Sequence, residues 1–393
     1  MRLSLGRLAP ALLALLLALG ACTQPDTAGP AAAPAEEDPA PAGPTEEEET
    51  PTLAQQWLGA LTTRQKVGQL FLIRSPGDGV AQAVAQYQPG GVVFFAADFA
   101  GKSAEQVRQM TAACQAAAVC PLLTAVDEEG GTVNRVSRYP ALRAQPFPSP
   151  QQLLEEGGLD AVRQDAREKS AFLLDLGLNV NLAPVCDVST DPADFIYPRA
   201  CGLDAAGTSR YTAAVVEEMG RAGIGSVLKH FPGYGGNGDT HTGIVTDPRG
   251  LEEFQKRDFL PFSAGIDAGA GAVLVSHTIV PALDGAAPAS LSPAVHRLLR
   301  QELGFDGVIV TDDLIMQAIT DRYGEEQAAI LAVQAGNDLL ISSDYVTQLA
   351  AVQAAVERGE ITLEELDAAV LRVLTWKERL GLLPALPEGG VQP

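Results

Sequence analysis

The sequence predicts a (β/α)8 barrel, the TIM barrel, forming a single catalytic domain. Three observations carry that expectation. Eight short apolar runs recur along the chain, at 69–74, 91–95, 122–127, 178–182, 226–230, 272–277, 308–312 and 338–342. Each is continuous rather than alternating, as in Val92-Val93-Phe94-Phe95, which suits strands buried on both faces of a parallel sheet. Helical segments separate them, and the alternation fits the roughly 250 residues or more typical of this fold.

The helices are read from their ends. Segment 103–118 opens on the capping hydroxyl of Ser103 and stops before Pro121. Segment 160–176 runs up to Gly177, and 207–221 ends just before Gly223. Segment 292–303 has Pro293 just inside its start and Gly304 just past its end. Segment 325–335 stops at Gly336, and 346–358 and 362–380 close the series. An open doubly wound sheet is the competing architecture. It calls for a dinucleotide turn after the first strand, and Arg74-Ser75-Pro76-Gly77-Asp78-Gly79 lacks that glycine spacing.

Two segments precede the barrel. In residues 1–22, Arg2 and Arg7 lead into the Leu- and Ala-rich run 11–19 and then Leu19-Gly20-Ala21-Cys22. The run is too short to span a bilayer and suits a signal peptide. Its ending resembles a bacterial lipobox, which implies cleavage before Cys22, lipidation of its thiol, and an extracytoplasmic protein anchored to the bacterial cell membrane. Residues 23–52 are rich in Ala, Pro and Glu and hold eight acids with no Lys or Arg, so they read as a disordered, self-repelling tether. The barrel is assigned to 53–393.

The 393 residues carry 27 Lys+Arg against 49 Asp+Glu, a formal net charge of −22. An excess of acid on that scale argues against nucleic acid as a partner. The barrel segment alone keeps 25 basic against 41 acidic residues, so the acidity is not confined to the tether. Beyond Cys22 there are four cysteines. Cys114 with Cys120 and Cys186 with Cys201 are the natural pairs, and buried free thiols are the alternative. No CxxC pair is present, and no metal or cofactor is expected. A monomer is expected.

In such a barrel, chemistry sits at the C-terminal ends of the strands. Ionisable residues crowd several of them: Asp127-Glu128-Glu129 with Arg135 beyond, Asn181 and Asp187 with Arg199 beyond, Lys229-His230, Ser276-His277 and Asp312-Asp313. Three of the four histidines, His230, His241 and His277, lie there. Asp312 and Asp313 are consecutive on a strand, so they point to opposite faces. One should face the barrel axis while the other braces a loop. Asp239 and His241 stand two apart on the loop after the fifth strand, close enough for the carboxylate to orient the imidazole. An Asx turn is the plainer reading of that pair taken alone. The glycine-rich stretch 233–238 has no phosphate-loop spacing.

Asp127-Glu128-Glu129-Gly130-Gly131-Thr132-Val133-Asn134-Arg135, Lys229-His230-Phe231-Pro232-Gly233, Asp239-Thr240-His241 and Thr311-Asp312-Asp313-Leu314 resemble glycoside hydrolase family 3, in its β-N-acetylhexosaminidase branch. The likeness covers about 53–383. It implies a retaining exo-β-N-acetylglucosaminidase acting on peptidoglycan fragments or related glycans through a covalent glycosyl-enzyme. Asp312 would be the nucleophile. His241, held by Asp239, would be the acid and then the base. Asp127, Arg135, Arg199, Lys229 and His230 would grip the sugar. Two departures stand out: Tyr234 replaces a histidine common in the family, and Arg199-Ala200-Cys201-Gly202 replaces Arg-Ser-Phe-Gly. Too few residues follow the eighth strand for the second domain of many members, so the resemblance implies that the Asp239/His241 loop supplies the acid/base. Other readings are a β-glucosidase or β-xylosidase of the same fold, or a non-catalytic glycan-binding lipoprotein.

Overall fold

The computed structural model describes residues 50–238 and 243–386. Eight parallel strands follow one another around a ring: β1 Phe71–Arg74, β2 Gly91–Phe94, β3 Leu123–Val126, β4 Val180–Asn181, β5 Gly225–Phe231, β6 Ala272–Val275, β7 Val308–Thr311 and β8 Leu340–Ser342. The hydrogen-bonded order is β8-β1-β2-β3-β4-β5-β6-β7, and a parallel bridge between Val310 and Leu339 closes β7 onto β8. All eight expected strands are present, each within or close to its expected bounds, and the fold is the (β/α)8 barrel.

The helices also follow the sequence where caps mark them. Ser103 caps Ala104–Ala117 through the Gln106 N–H, and Thr362 caps Leu363–Arg379 with a reciprocal bond from Glu365. The helix expected at 160–176 is present and ends at Asp175; Gly158, whose φ of 62° leaves the helical region, separates it from a further helix that starts at Pro150. Segment 292–303 is Pro293–Arg297 continued by a wider turn, Leu298–Glu302. Leu53–Ala60, Thr63–Gln69 and Val80–Tyr87 are additional helices before and after β1.

The barrel interior is apolar. Leu72, Val93, Leu123, Ala125, Val227, Leu274, Val310 and Ile341 point inward from successive strands. Trp376, on the C-terminal helix, closes the N-terminal end. A Cβ on Gly271 would lie 2.0 Å from its Nε1, so the residue leading into β6 has to be glycine for the indole to seat there. A larger apolar layer packs between the strands and the outer helices.

Cys114, Cys120, Cys186 and Cys201 are free and buried, so neither candidate disulfide forms. Burial pushes the Cys114 thiol up to about 11 and moves the other three upward as well. All four are buried in the packing of the barrel, and their thiols are pushed away from the thiolate form. The assigned signal segment 1–22, with Cys22, and most of the tether 23–52 lie outside the described residues. Among the described residues no helix is long and apolar enough to cross a membrane.

Candidate active site

A cleft of about 520 Å³ opens at the C-terminal end of the barrel, lined by residues from all eight strands and their loops. It brings together Asp127, Arg135, Arg199, Lys229, His230 and Asp312. Asp239 and His241 lie outside the described residues.

The loop after β3 is pinned from within. Glu128 and Glu129 alternate to opposite sides, as a short hairpin of Glu128–Gly130 and Val133–Asn134 demands. Glu128 is fully buried. It accepts the backbone N–H groups of Arg135, Val136 and Ser137 at 2.9, 2.7 and 3.1 Å, together with the Ser137 hydroxyl. Burial nevertheless pushes its carboxyl up. Asn181, at the end of β4, bonds both the N–H and the carbonyl of Glu128. Arg135 is thereby fixed at the cleft by its own backbone.

Glu129 faces the other way and organises one wall of the cleft. Arg199 grips it in a two-pronged bond, Nε at 3.0 Å and Nη2 at 2.8 Å. Lys229 Nζ lies 2.6 Å from Glu129 and 2.7 Å from Asp127. Burial acts to raise the Glu129 carboxyl, but Lys229 and Arg199 overcome it and hold the group far below the usual carboxylate range. Burial acts to lower Lys229 too, and Asp127 and Glu129 more than offset it. Two cations are thus kept charged in a nearly dry wall because acids sit directly against them.

His230 extends the same chain of contacts. Its Nδ1–H donates to Asp187 at 2.8 Å, since a carboxylate only accepts, and Asp187 also receives the backbone N–H groups of His230 and Tyr234. Arg199 only donates, so the bond of 3.1 Å between its Nη2 and His230 Nε2 uses the imidazole lone pair. His230 therefore accepts from Arg199 and aims it, with Tyr234 edge-on against its ring at 5.1 Å between centroids.

The Asp312-Asp313 doublet lies just past β7, which ends at Thr311, so strand alternation does not divide it, and both residues line the cleft. Asp313 braces the neighbouring strand end, accepting the Ser343 N–H at 3.1 Å and the Ser343 hydroxyl. Burial pushes its carboxyl up. Asp312 lines the cleft, its Oδ1 accepting the Asp313 N–H at 2.9 Å. His277 donates from Nε2 to the Asp313 carbonyl at 3.0 Å and accepts from Ser290 at Nδ1, 2.7 Å, so it supports the loop behind Asp312.

The two ends of the loop 233–247 meet at Arg249. It donates to the Gly233 carbonyl at 3.2 Å, grips Asp247 through Nε and Nη2, and reaches Asp258 at 2.7 Å. Burial pushes the Asp258 carboxyl up to about 6 against the pull of Arg249. Gly233, at φ 120°, packs so close that a Cβ would fall 2.5 Å from Asp258. Among the described residues no cluster of three or more His, Cys, Asp and Glu is arranged to hold a metal ion.

Glu129 and Asp187 are the organising residues absent from the expected site. The sequence signal for both was their place just beyond a strand end. What each touches depends on partners 70 and 43 residues away.

A cleft of this composition, a carboxylate beside a wall of fixed charges, is suited to displacement at a sugar carbon. The glycosyl hydrolase family 3 N-terminal domain matches residues 62–376. The Beta-hexosaminidase LpqI of Mycobacterium tuberculosis is 35% identical over 333 residues, covering 81% of this chain and 83% of its own. A family 3 β-N-acetylglucosaminidase from Paenibacillus superposes with a TM-score of 0.77 at 33% identity, over 85% of this chain and 66% of that longer one. The β-N-acetylhexosaminidase of Beutenbergia cavernae does so at 0.71 and 31% identity, over 81% of this chain and 99% of that one. With the family's domain matched over residues 62–376 and a relative 35% identical over most of its length, the chain belongs to glycosyl hydrolase family 3.

Proposed function

We propose that the protein is a retaining exo-β-N-acetylglucosaminidase that removes terminal GlcNAc from peptidoglycan fragments or related glycans. The observation that carries this reading is the joining of Asp312 and the Asp127–Lys229–Glu129–Arg199 wall in one cleft. The activities for which the relatives are named point the same way.

In this mechanism Asp312 attacks the anomeric carbon while His241, oriented by Asp239, gives its proton to the departing oxygen. A covalent glycosyl-enzyme forms and the aglycone leaves as an alcohol. His241 then takes a proton from water as that water attacks the same carbon, which releases the sugar with retention and frees Asp312. Asp127 accepts from sugar hydroxyls, while Arg135, Arg199 and Lys229 donate to sugar oxygens. His230 keeps Arg199 in place.

A panel of chromogenic β-glycosides tests the sugar. Turnover should be at least about 100-fold faster with β-GlcNAc than with β-glucoside or β-xyloside, the discrimination expected when a site is built to hydrogen-bond a group the rival lacks. Equal rates would favour the β-glucosidase reading. No turnover of any member by the folded protein would favour a binding lipoprotein.

We infer also that Cys22 is the lipidated first residue of the mature chain, which would place the enzyme on the outer side of a membrane. The support is the run 11–19 with Leu19-Gly20-Ala21-Cys22. Mass spectrometry of the detergent-extracted protein should find an N-terminal peptide beginning at acylated Cys22. An unmodified Cys22, or a different first residue, would overturn it.

A further inference from the structure

The cleft holds a cation that the sugar-gripping wall does not use. Arg74 is the last residue of β1 and its side chain is exposed. Its guanidinium carbon lies 4.4 Å from the centroid of the Phe95 ring, just beyond β2, and both residues line the cleft that contains Asp312. The platform is fixed from below. Asp98 is buried and accepts the Ser75 hydroxyl at 2.7 Å through one oxygen and the Phe95 N–H at 2.7 Å through the other. The ends of β1 and β2 are thereby tied together.

That arrangement leaves Arg74 without an acid. Lys229 and Arg199 are matched to Asp127 and Glu129, and Asp313 is turned to Ser343. Among the described residues Arg74 has its ring contact and no ion pair. In a chain with 49 acidic against 27 basic residues, a stacked arginine facing a cleft and matched to no carboxylate of its own is available to one from outside. A guanidinium offers two parallel donors in the plane that a carboxylate accepts. Stacking on Phe95 limits its rotamers before anything binds, so less freedom is lost on binding. The cleft, at about 520 Å³, falls within the range that encloses ligands larger than one monosaccharide. Ile315 and Met316 add apolar lining for a second unit.

We propose that Arg74, held over Phe95, is a specificity-determining residue that forms an aglycone subsite and selects glycosides whose leaving group carries a carboxylate. The proposal rests on the glycosidase reading of the same cleft. No electron transfer or added reactant is involved. The carboxylate stays intact, and only its ion pair with Arg74 forms on binding.

The test uses two aryl β-GlcNAc substrates whose leaving groups have matched acidity. One bears a carboxylate and the other the corresponding carboxamide. In the wild-type protein at low ionic strength, kcat/KM should favour the carboxylate by about tenfold, the size of one charged hydrogen bond. The preference should shrink as salt is added. Arg74→Gln should bring the ratio close to one, and Arg74→Lys should keep part of it. Were Arg74→Gln poorly folded, the salt dependence of the wild type and the ratio in Arg74→Lys would decide. A wild-type ratio of one, or an unchanged ratio in folded Arg74→Gln, overturns the subsite while leaving the glycosidase reading intact. Failure of the wild type to turn over either substrate overturns that reading and the subsite with it.

Discussion

Replacing Asp312 by glycine should lower kcat by at least about 10⁴-fold, the scale seen when a nucleophile is removed from an otherwise intact site. The fold should survive, because the strand pairing at this point is made by the backbone: the Asp312 N–H donates to the Val275 carbonyl at 3.1 Å. Asp313 should not substitute for it, since both of its oxygens are held by Ser343 and Ile315. With an activated substrate, sodium azide should restore part of the turnover from the vacated side. The product should then be the α-linked glycosyl azide, because the small anion attacks from the face that Asp312 occupied. Retained turnover without azide, or a β-linked azide, would remove Asp312 from the nucleophile's role.

Glu129→Gln should damage both stability and activity. The substitution leaves Arg199 and Lys229 buried with half of their compensation gone, and breaking such a group costs about 3–5 kcal/mol. Activity should fall with it, by about 100-fold in kcat/KM, because the wall loses the carboxylate that spaces Arg199 from Lys229. The pH dependence gives a second readout. The folded carboxyl of Glu129 is held below its unfolded value of about 4.3. Its stabilising contribution is therefore complete above that unfolded value and is lost as the pH falls through the folded one. Melting curves of the wild type should drop across this acid range, and those of Glu129→Gln should drop less. Equal acid slopes, or a variant within twofold of wild-type kcat/KM, would show that the wall is organised by something else.

The barrel was legible because its strands are buried on both faces and so read as unbroken apolar runs. The expected split of Asp312 and Asp313 to opposite faces fails because β7 ends at Thr311 and both line the cleft; what sets Asp313 apart is its hold on Ser343. The site's internal wiring was not legible. Glu129 stands in an acidic triplet whose members look alike in one dimension, and only the hairpin after β3 turns Glu128 inward to the backbone and Glu129 outward to Arg199. His230 and His277 both looked like candidates for chemistry. The structure makes one an acceptor for Arg199 and the other a support for the Asp313 carbonyl. The cysteine pairs were undecidable from spacing alone, because bridging depends on Cβ directions that spacing does not encode. The separate helix that starts at Pro150 is signalled by its cap, Ser149, but the Gly157-Gly158 break that follows hides it in the sequence.

Trp376 gives the barrel a floor. Its indole fills the end opposite the cleft, and the apolar side chains above it leave no passage between the two. Traffic through the molecule is therefore confined to one doorway. A released monosaccharide must back out along the route by which the next chain end arrives, so a site still holding product is closed to substrate. A long glycan cannot be threaded through the barrel and has to engage the cleft from its open face.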